Sequence, residues 1–256
     1  MPFRPIAQER VATSVSRQIE SLILRGVLRP GERLPSERDM AAEMGVSRPS
    51  VREALAELER EGLVETRPGA GAFVAEVLGS AFAPPLVRLF ATHPEALFDY
   101  LSFRRDLEMM AAGRAAREAS GTDLDVIHAI FSKMEAAHEK RSSREEAELD
   151  VEFHMAIIEA SHNVVMLHMM RSMFGLLKEG VFYNRQTLFS LRPTRRDLLD
   201  QHRAINDALQ ARDDVGARTA VAAHLDFVRD AMEEQLRRTA NEETAKLRFE
   251  HELRRS

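Results

Sequence analysis

Over most of this 256-residue chain the apolar positions recur with helical spacing, and the exceptions fall near the N-terminus. Between residues 9 and 25, Val11, Val15, Ile19, Leu22 and Ile23 mark one face of a helix that Gly26 closes. The run 28–35, Leu-Arg-Pro-Gly-Glu-Arg-Leu-Pro, predicts a rigid connector. Ser36, with Asp39 three residues on, is a good N-cap for a short helix ending at Met44, and Gly45 suits the position after it. Ser47 caps the next helix, whose stripe of Val51, Leu55 and Leu58 stops at Gly62. Two short segments, Leu63–Thr66 and Ala72–Ala75, flank Pro68-Gly-Ala-Gly71 and predict a hairpin. Gly79, Pro84, Pro85 and Pro94 then interrupt residues 76–94. Beyond them only helical periodicity remains, in about six helices near 95–119, 122–140, 143–160, 163–190, 194–211 and 214–238. The tail from Ala240 is charged and predicts a solvated helix end or a disordered segment.

Helix, glycine-containing turn, helix and hairpin make the plan of a winged helix-turn-helix, and the helices beyond residue 94 make a bundle. The fold class is therefore mainly α. The predicted domains are 8–76 for the winged helix-turn-helix, 77–94 for a linker, 95–240 for an all-α bundle and 241–256 for a charged tail. A hydrophobic fraction of 44% is enough for two packed cores. No window approaches the roughly 18 consecutive apolar residues of a membrane span, so no membrane partner is expected. Met1 to Arg10 lacks the apolar stretch of a secretory signal. The chain has no cysteine, which excludes disulfides and restricts any metal to nitrogen and oxygen ligands. These features fit a cytoplasmic protein.

The net charge of −5 is unevenly spread. Residues 1–75 hold 11 Arg, no Lys and 11 acids, and are neutral in sum. Within residues 1–52, however, 9 Arg face 6 acids, so a basic edge survives the neutral total. The second short helix is the candidate recognition helix, and its first turn offers Ser47, Arg48, Ser50 and Arg52. Arg48 and Arg52, four residues apart, project to one side; an arginine bidentate to guanine is worth about 1–3 kcal/mol of discrimination. The serines and the helix N-terminus suit phosphate. Arg38, one helix earlier, is a further candidate, and the Pro68–Gly71 tip suits close approach to a minor groove. The plainer account is a small helical domain whose surface arginines pair with Glu53, Glu57 and Glu59.

Four polar residues fall where apolar ones belong. Asp150 and His154 sit one turn apart on the stripe of Ala147, Val151, Ile157 and Ile158. His202 lies among Leu198, Ile205 and Leu209, and His224 among Val221, Leu225 and Val228. Burying such groups without partners costs about 1–3 kcal/mol each, so they require one another or a shared ligand. Three imidazoles and a carboxylate, two ligands from one helix and one from each of two others, suit a divalent metal in a bundle core. Zn is the first choice, with Ni and Mn also compatible. The plainer account is four satisfied polar residues that never meet. His93, His128, His138, His162, His168 and His251 show no comparable grouping, and His162 with Asn163 suits a helix cap.

One carboxylate ligand leaves a divalent ion with a net positive charge, which attracts an anion. Arg104 lies on the buried stripe of Leu97, Leu101, Leu107, Ala111 and Ala115, suited to an incoming carboxylate, although Glu108 one turn later offers it an intrahelical partner. Asn184 and Arg185 are candidate orienting donors for the same ligand.

Residues 28–55, from Leu28-Arg-Pro-Gly-Glu-Arg-Leu-Pro-Ser-Glu-Arg-Asp-Met to Ser47-Arg-Pro-Ser-Val-Arg-Glu-Ala-Leu55, resemble the N-terminal domain of GntR-family regulators. The resemblance implies that Arg38, Arg48 and Arg52 contact operator DNA, that Gly69 is the wing glycine, and that the chain works as a homodimer. Residues 150–163 (Asp-Val-Glu-Phe-His-Met-Ala-Ile-Ile-Glu-Ala-Ser-His-Asn), 201–205 (Gln-His-Arg-Ala-Ile) and 223–225 (Ala-His-Leu) resemble the FCD effector domain of the family's FadR branch. That likeness implies metal binding through Asp150, His154, His202 and His224. Acyl-CoA-binding relatives lack this set, which argues against a fatty-acyl ligand. Phe103–Glu108 resembles the family's ligand-contacting helix, and 159–173 is most similar to regulators responding to lactate, pyruvate or glycolate, whereas Tyr183 to Leu191 departs from each of these. The expected function is a transcriptional repressor whose operator binding is controlled by a small carboxylate beside a divalent metal. Two alternatives stay open: a metal-dependent hydrolase fused to a winged helix, for which no His-Glu-x-x-His base is present, and a regulator that senses the metal itself.

Overall fold

The computed structural model describes residues 10–75, 84–178 and 192–255. Backbone contacts divide the chain into two units, Met1–Gly79 and Ser80–Ser256.

The first unit is a winged helix-turn-helix of α1 (Val11–Leu24), α2 (Glu37–Met44), α3 (Arg48–Arg60), β1 (Val64–Arg67) and β2 (Gly71–Val74). The predicted caps form. Ser36 Oγ accepts from the Asp39 N–H at 3.2 Å, Ser47 Oγ accepts from the Ser50 N–H at 3.3 Å, and Gly45 ends α2 in the left-handed conformation at φ 64°. The apolar face of α1 (Val15, Ile19, Ile23) packs into one core with Met40 of α2, with Val51, Ala54 and Leu58 of α3, and with Val64 and Val74 of the strands. The strands pair antiparallel from Val64↔Val74 to Arg67↔Gly71, starting one residue later and one earlier than the hydrophobic pattern suggests.

The connector at 28–35 does more than the sequence indicates. Arg33 bridges to Phe73; the Leu34 N–H donates to the Ala72 carbonyl at 2.8 Å, and the Val74 N–H to the Glu32 carbonyl at 2.9 Å. The connector therefore covers the open edge of β2. Pro30 and Pro35, which bracket it, hide this strand-like role from a periodicity argument.

The described part of the second unit is all helical: α4 (Pro84–Thr92), α5 (Pro94–Glu118), α6 (Gly121–Lys140), α7 (Ser143–Ala160), α8 (Val164–Lys178), α9 (Arg192–Gln210) and α10 (Asp214–Arg255). α4 lies in the stretch that the prolines mark as a linker. Pro84 and Pro85 instead open a helix, where a missing N–H costs nothing. Of the helix expected at 163–190, the structure describes Val164–Lys178. α10 continues to Arg255, so the charged tail is a helix end; from Leu236 to Leu253 its side chains are exposed. Ser120 forms a capping box with Asp123, and Asn163 Oδ1 accepts from the Met166 N–H at 3.0 Å. His162 departs from its expected capping role: it is left-handed (φ 51°), and its Nε2 lies 3.0 Å from Asp123 Oδ2.

Small residues bring α5 and α10 together. Ala111, Ala112, Ala115 and Ala116 are fully buried, and a Cβ on Gly113 would fall 2.3 Å from Arg218 Nε. α7 packs between α6 and α5, and α9 between α6 and α10. Two apolar clusters result. Phe131, Phe153, Ile157, Ile205 and Leu225 belong to one; Leu101, Ile158, Met170, Leu198 and Val228 belong to the other. α7, α9 and α10 each contribute to both, so these three helices share a seam.

Phe153 is fully buried on that seam, against Phe131 and His202. Phe153→Ala is expected to cost about 3–5 kcal/mol, read as a loss of unfolding free energy in denaturant titration.

Candidate metal centre and nucleic-acid interface

On the first unit, Arg38, Ser47, Arg48 and Arg52 are exposed, Ser50 is half-buried, and Gly69 sits at the wing tip with φ 74°. Of the pairs in the plainer account, Arg10 Nη1 lies 3.9 Å from Glu53 Oε1, whereas Arg38 and Arg52 pair elsewhere. Arg52 Nη2 lies 2.8 Å from Glu37 Oε2, and Arg38 Nε lies 3.2 Å from Asp39 Oδ1. The acids of α3 have other work: Ser16 Oγ donates to Glu57 at 3.3 Å and the Thr66 N–H donates to Glu59 at 2.9 Å. Ser47 and Ser50 also meet through their hydroxyls at 2.9 Å. Arg52 is thus already engaged through Nε and Nη2, and Glu37 competes with a phosphate or base edge for those donors.

In the second unit the four polar stripe residues converge. α7 supplies Asp150 and His154 one turn apart, α9 supplies His202 and α10 supplies His224. His202 Nε2 lies 3.1 Å and His154 Nε2 3.6 Å from Asp150 Oδ1, and the two Nε2 atoms are 3.4 Å apart. One donor atom from each of the four falls within 4.8 Å of the others. All four are buried, none more than 5% exposed. Phe153 closes one side, edge-on to His202 at 5.3 Å.

The arrangement suits a cation. Ligands sharing an ion at about 2.0–2.2 Å lie about 3–3.5 Å from each other, close to the three contacts above. His224 Nδ1 is 3.0 Å from Gln201 Oε1, which as an acceptor keeps the ring proton on that edge. His224 Nε2, on the inner edge, is buried with no hydrogen-bond partner among the described residues. Burial holds His202 below the ordinary imidazole range. Burial, aided by the neighbouring His202 and His154, holds His224 well below it. Both rings are therefore neutral bases with a lone pair to offer.

Glu108 of α5, behind His154, is a site residue that sequence reasoning missed. His154 Nδ1 lies 2.5 Å from Glu108 Oε2, a close charged contact rather than a well-aligned hydrogen bond. Glu108 Oε1 is paired with Arg104 Nε, and both side chains are almost wholly buried. Burial alone would raise the Glu108 carboxyl, but Arg104 and His154 bring it down to about 2. His154 is likewise disfavoured as a cation by burial, yet Glu108 and Asp150 raise it overall. The sequence places Arg104 toward a ligand carboxylate; in the structure it holds the protein's own, with its guanidinium 5.0 Å from the Phe174 ring centroid. The signal is present as Glu108 on the apolar stripe of α5, but it reads there as a mere i, i+4 partner. Asn184 and Arg185 lie outside the described residues.

Histidines that the pattern leaves ungrouped do have partners, among them His93, whose Nδ1 is 3.2 Å from Glu95 Oε1. His162 meets Asp123, and His128 Nδ1 is 3.4 Å from Asn206 Nδ2. His138 Nδ1 is 3.0 Å from buried Glu146, which also takes Arg195 Nε at 2.6 Å, tying α6, α7 and α9 together.

Comparison with known proteins locates both units. The model of bacterial regulatory proteins of the gntR family matches residues 11–74, and that of the FCD domain matches 99–227. Among curated relatives, the putative L-lactate dehydrogenase operon regulatory protein of Escherichia coli (strain K12) is 37% identical over 231 residues, 89% of this chain and 88% of that one. The Glc operon transcriptional activator of the same organism is 37% identical over 219 residues, 84% and 86% of the two chains. The transcriptional regulator LutR of Bacillus subtilis (strain 168) is 32% identical over 212 residues, 82% and 96%. Among solved structures, a Streptococcus agalactiae GntR protein shares the fold with a TM-score of 0.52 at 23% identity, covering 86% of this chain and 99% of that chain. No helix among the described residues is long and apolar enough to cross a membrane.

Removing the carboxylate that holds Arg52 leaves the arginine available to DNA. Glu37→Gln is expected to tighten binding to double-stranded DNA at low salt, measured by fluorescence anisotropy. Because the pair is exposed, the melting temperature should move by less than about 3 °C.

Proposed function

Because the chain belongs to the GntR family of bacterial regulatory proteins and carries an FCD domain, which makes it a transcriptional regulator and not an enzyme, we propose that it is a cytoplasmic, homodimeric repressor whose hold on operator DNA is set by a small carboxylate bound beside a divalent metal. The observation that carries this reading is the buried convergence of Asp150, His154, His202 and His224 in a chain that also presents an exposed arginine-bearing recognition helix. Arg48, Arg52 and Arg38 reach bases and phosphates, Ser47 and Ser50 reach phosphate, and Gly69 lets the wing approach the backbone. The proposed domains are those of the sequence: 8–76 for DNA, 77–94 linking, 95–240 for metal, effector and dimer contacts, and 241–256 as an appended charged segment.

Asp150 and the three histidines hold the ion, with zinc the first choice for an all-nitrogen-and-oxygen set and nickel or manganese compatible. When bound, the ion supplies net positive charge and an open position for an oxygen ligand. The effector class follows from that charge, from Arg104 nearby, and from relatives named for an L-lactate dehydrogenase operon and a Glc operon. A 2-hydroxy or 2-keto acid of the lactate, pyruvate or glycolate type presents a carboxylate with a second oxygen beside it, a chelating pair. Asn184 and Arg185 are proposed to orient it. Effector binding loosens the grip on DNA by favouring one state of the dimer over another.

Two measurements test this. In a thermal-shift screen of small carboxylates, the effector at about 100 times its Kd adds about 2.7 kcal/mol of stability, and chelator or His202→Ala abolishes the gain. Failure of lactate, pyruvate and glycolate alongside success of another acid would discard the effector class and leave the architecture. For operator DNA, Arg48→Ala is expected to lose about 1–3 kcal/mol of binding, read by anisotropy, with sequence preference relaxed. An unchanged preference would remove Arg48 from base reading.

A further inference from the structure

We propose that Glu108 and Gln201 are positioning residues for the metal, Glu108 behind His154 and Gln201 behind His224, and that Arg104 belongs to this outer layer because it holds Glu108. The inference rests on the metal reading above and adds to it the residues that decide which ring nitrogen faces the ion.

A neutral imidazole has two tautomers, and only the one carrying its proton on the outer nitrogen presents a lone pair inward. An acceptor behind the ring selects that tautomer and fixes the ring plane. His224 has such an acceptor in Gln201 Oε1 at 3.0 Å from Nδ1, with Nε2 facing the other ligands. His154 has one in Glu108 Oε2 at 2.5 Å from Nδ1, with Nε2 turned to Asp150 and His202. At that distance the carboxylate holds the ring proton on Nδ1 by its charge, where Gln201 does so by a hydrogen bond. Gln201 precedes His202 in the chain, so α9 supplies one ligand and, from the adjacent residue, the outer partner of the ligand on α10.

Like the carboxylate of Asp150, that of Glu108 is buried. A buried carboxylate with no cationic partner protonates or turns away. Arg104 meets that need from one turn earlier on α5, on the Glu108 oxygen opposite His154. The sequence Arg104–Glu108–His154 thus runs from α5 into the ligand set of α7. Its consequence separates it from a role for Arg104 in the effector alone: changing Arg104 weakens metal binding when no effector is present.

The test measures the zinc Kd of the full chain by competition with a chromophoric chelator, without carboxylates in the buffer. Glu108→Gln is expected to raise Kd about 10–100-fold, Arg104→Met by a similar factor, and Gln201→Leu by less. Replacing zinc by cobalt(II) gives a second readout, a visible absorption band that shifts in Glu108→Gln as His154 loses its fixed orientation. Because each single change at Arg104 or Glu108 leaves the other's buried charge without its partner, the double variant Arg104→Met/Glu108→Gln keeps the pair neutral and should bind zinc no more weakly than Glu108→Gln alone, the non-additivity of groups acting in series. Circular dichroism of the chelator-treated variants reports their folding. Zinc affinity within twofold of wild type for both Glu108→Gln and Gln201→Leu, with the cobalt band unmoved, overturns the inference while leaving the metal reading intact. A wild-type chain that takes up no divalent ion overturns both.

Discussion

The second unit is organised around the desolvation of four polar side chains. Asp150, His154, His202 and His224 are as deeply buried as the leucines beside them, and three helices must meet at one point for them to touch. A single unsatisfied polar group costs about 1–3 kcal/mol, a sizeable part of the total stability of a domain. The cost is tolerable only if the four satisfy one another through something they share. The seam between the two apolar clusters is where this happens, because Phe153, Ile205 and Leu225 pack to one side of it and Ile158, Leu198 and Val228 to the other. The polar quartet therefore fixes the register of α7, α9 and α10 against each other: a slide that brings Ile158, Leu198 or Val228 into a donor's place strands an imidazole in the apolar layer.

Much of this is legible in the sequence, and the illegible part has physical reasons. A polar residue on an apolar stripe is visible in one dimension, and the helical period assigns it to the core without knowledge of neighbours. Asp150 with His154 at i, i+4 even predicts a shared target. The hidden part is which outer group stands behind which ring. Glu108 is 46 positions from His154 and belongs to a different helix, so only packing brings them together. Its adjacency to Arg104 suggests a self-contained pair, and nothing in the pattern says that the second carboxylate oxygen is in use. Gln201 reads only as the neighbour of His202. In the first unit the caps Ser36 and Ser47 and the glycine at 45 are legible because each acts locally, whereas the pairing of 31–34 with β2 is not, because prolines at both ends mask an extended segment.

Charge over residues 1–75 is balanced in number and unbalanced in place. Arg48 is exposed at the start of α3, where the helix dipole also favours an anion, while Glu57 and Glu59 point back to α1 and the wing and are spent on Ser16 and Thr66. A neutral total is thus compatible with a basic reading edge. The Arg52–Glu37 pair tempers that edge: an arginine that must exchange a carboxylate for a phosphate gains less from non-specific DNA, while a site offering a base edge as well still rewards the exchange.

The proposed coupling of effector to operator has an energetic bound. Moving a two-state equilibrium from 1:99 to 99:1 takes a differential affinity of about 5.5 kcal/mol, whereas a metabolite bound at millimolar Kd carries only about 4.1 kcal/mol in all. A small acid cannot by itself order a loose site and also shift a two-state equilibrium. A site whose ligands are already oriented spends little of that energy on ordering, because the ring planes, the tautomers and the buried guanidinium are set before the anion arrives. The layer of Glu108, Gln201 and Arg104 around the quartet has this consequence: it transfers the cost of organisation to the folding of α5, α7, α9 and α10, and leaves the binding energy of a small ligand for the change of state.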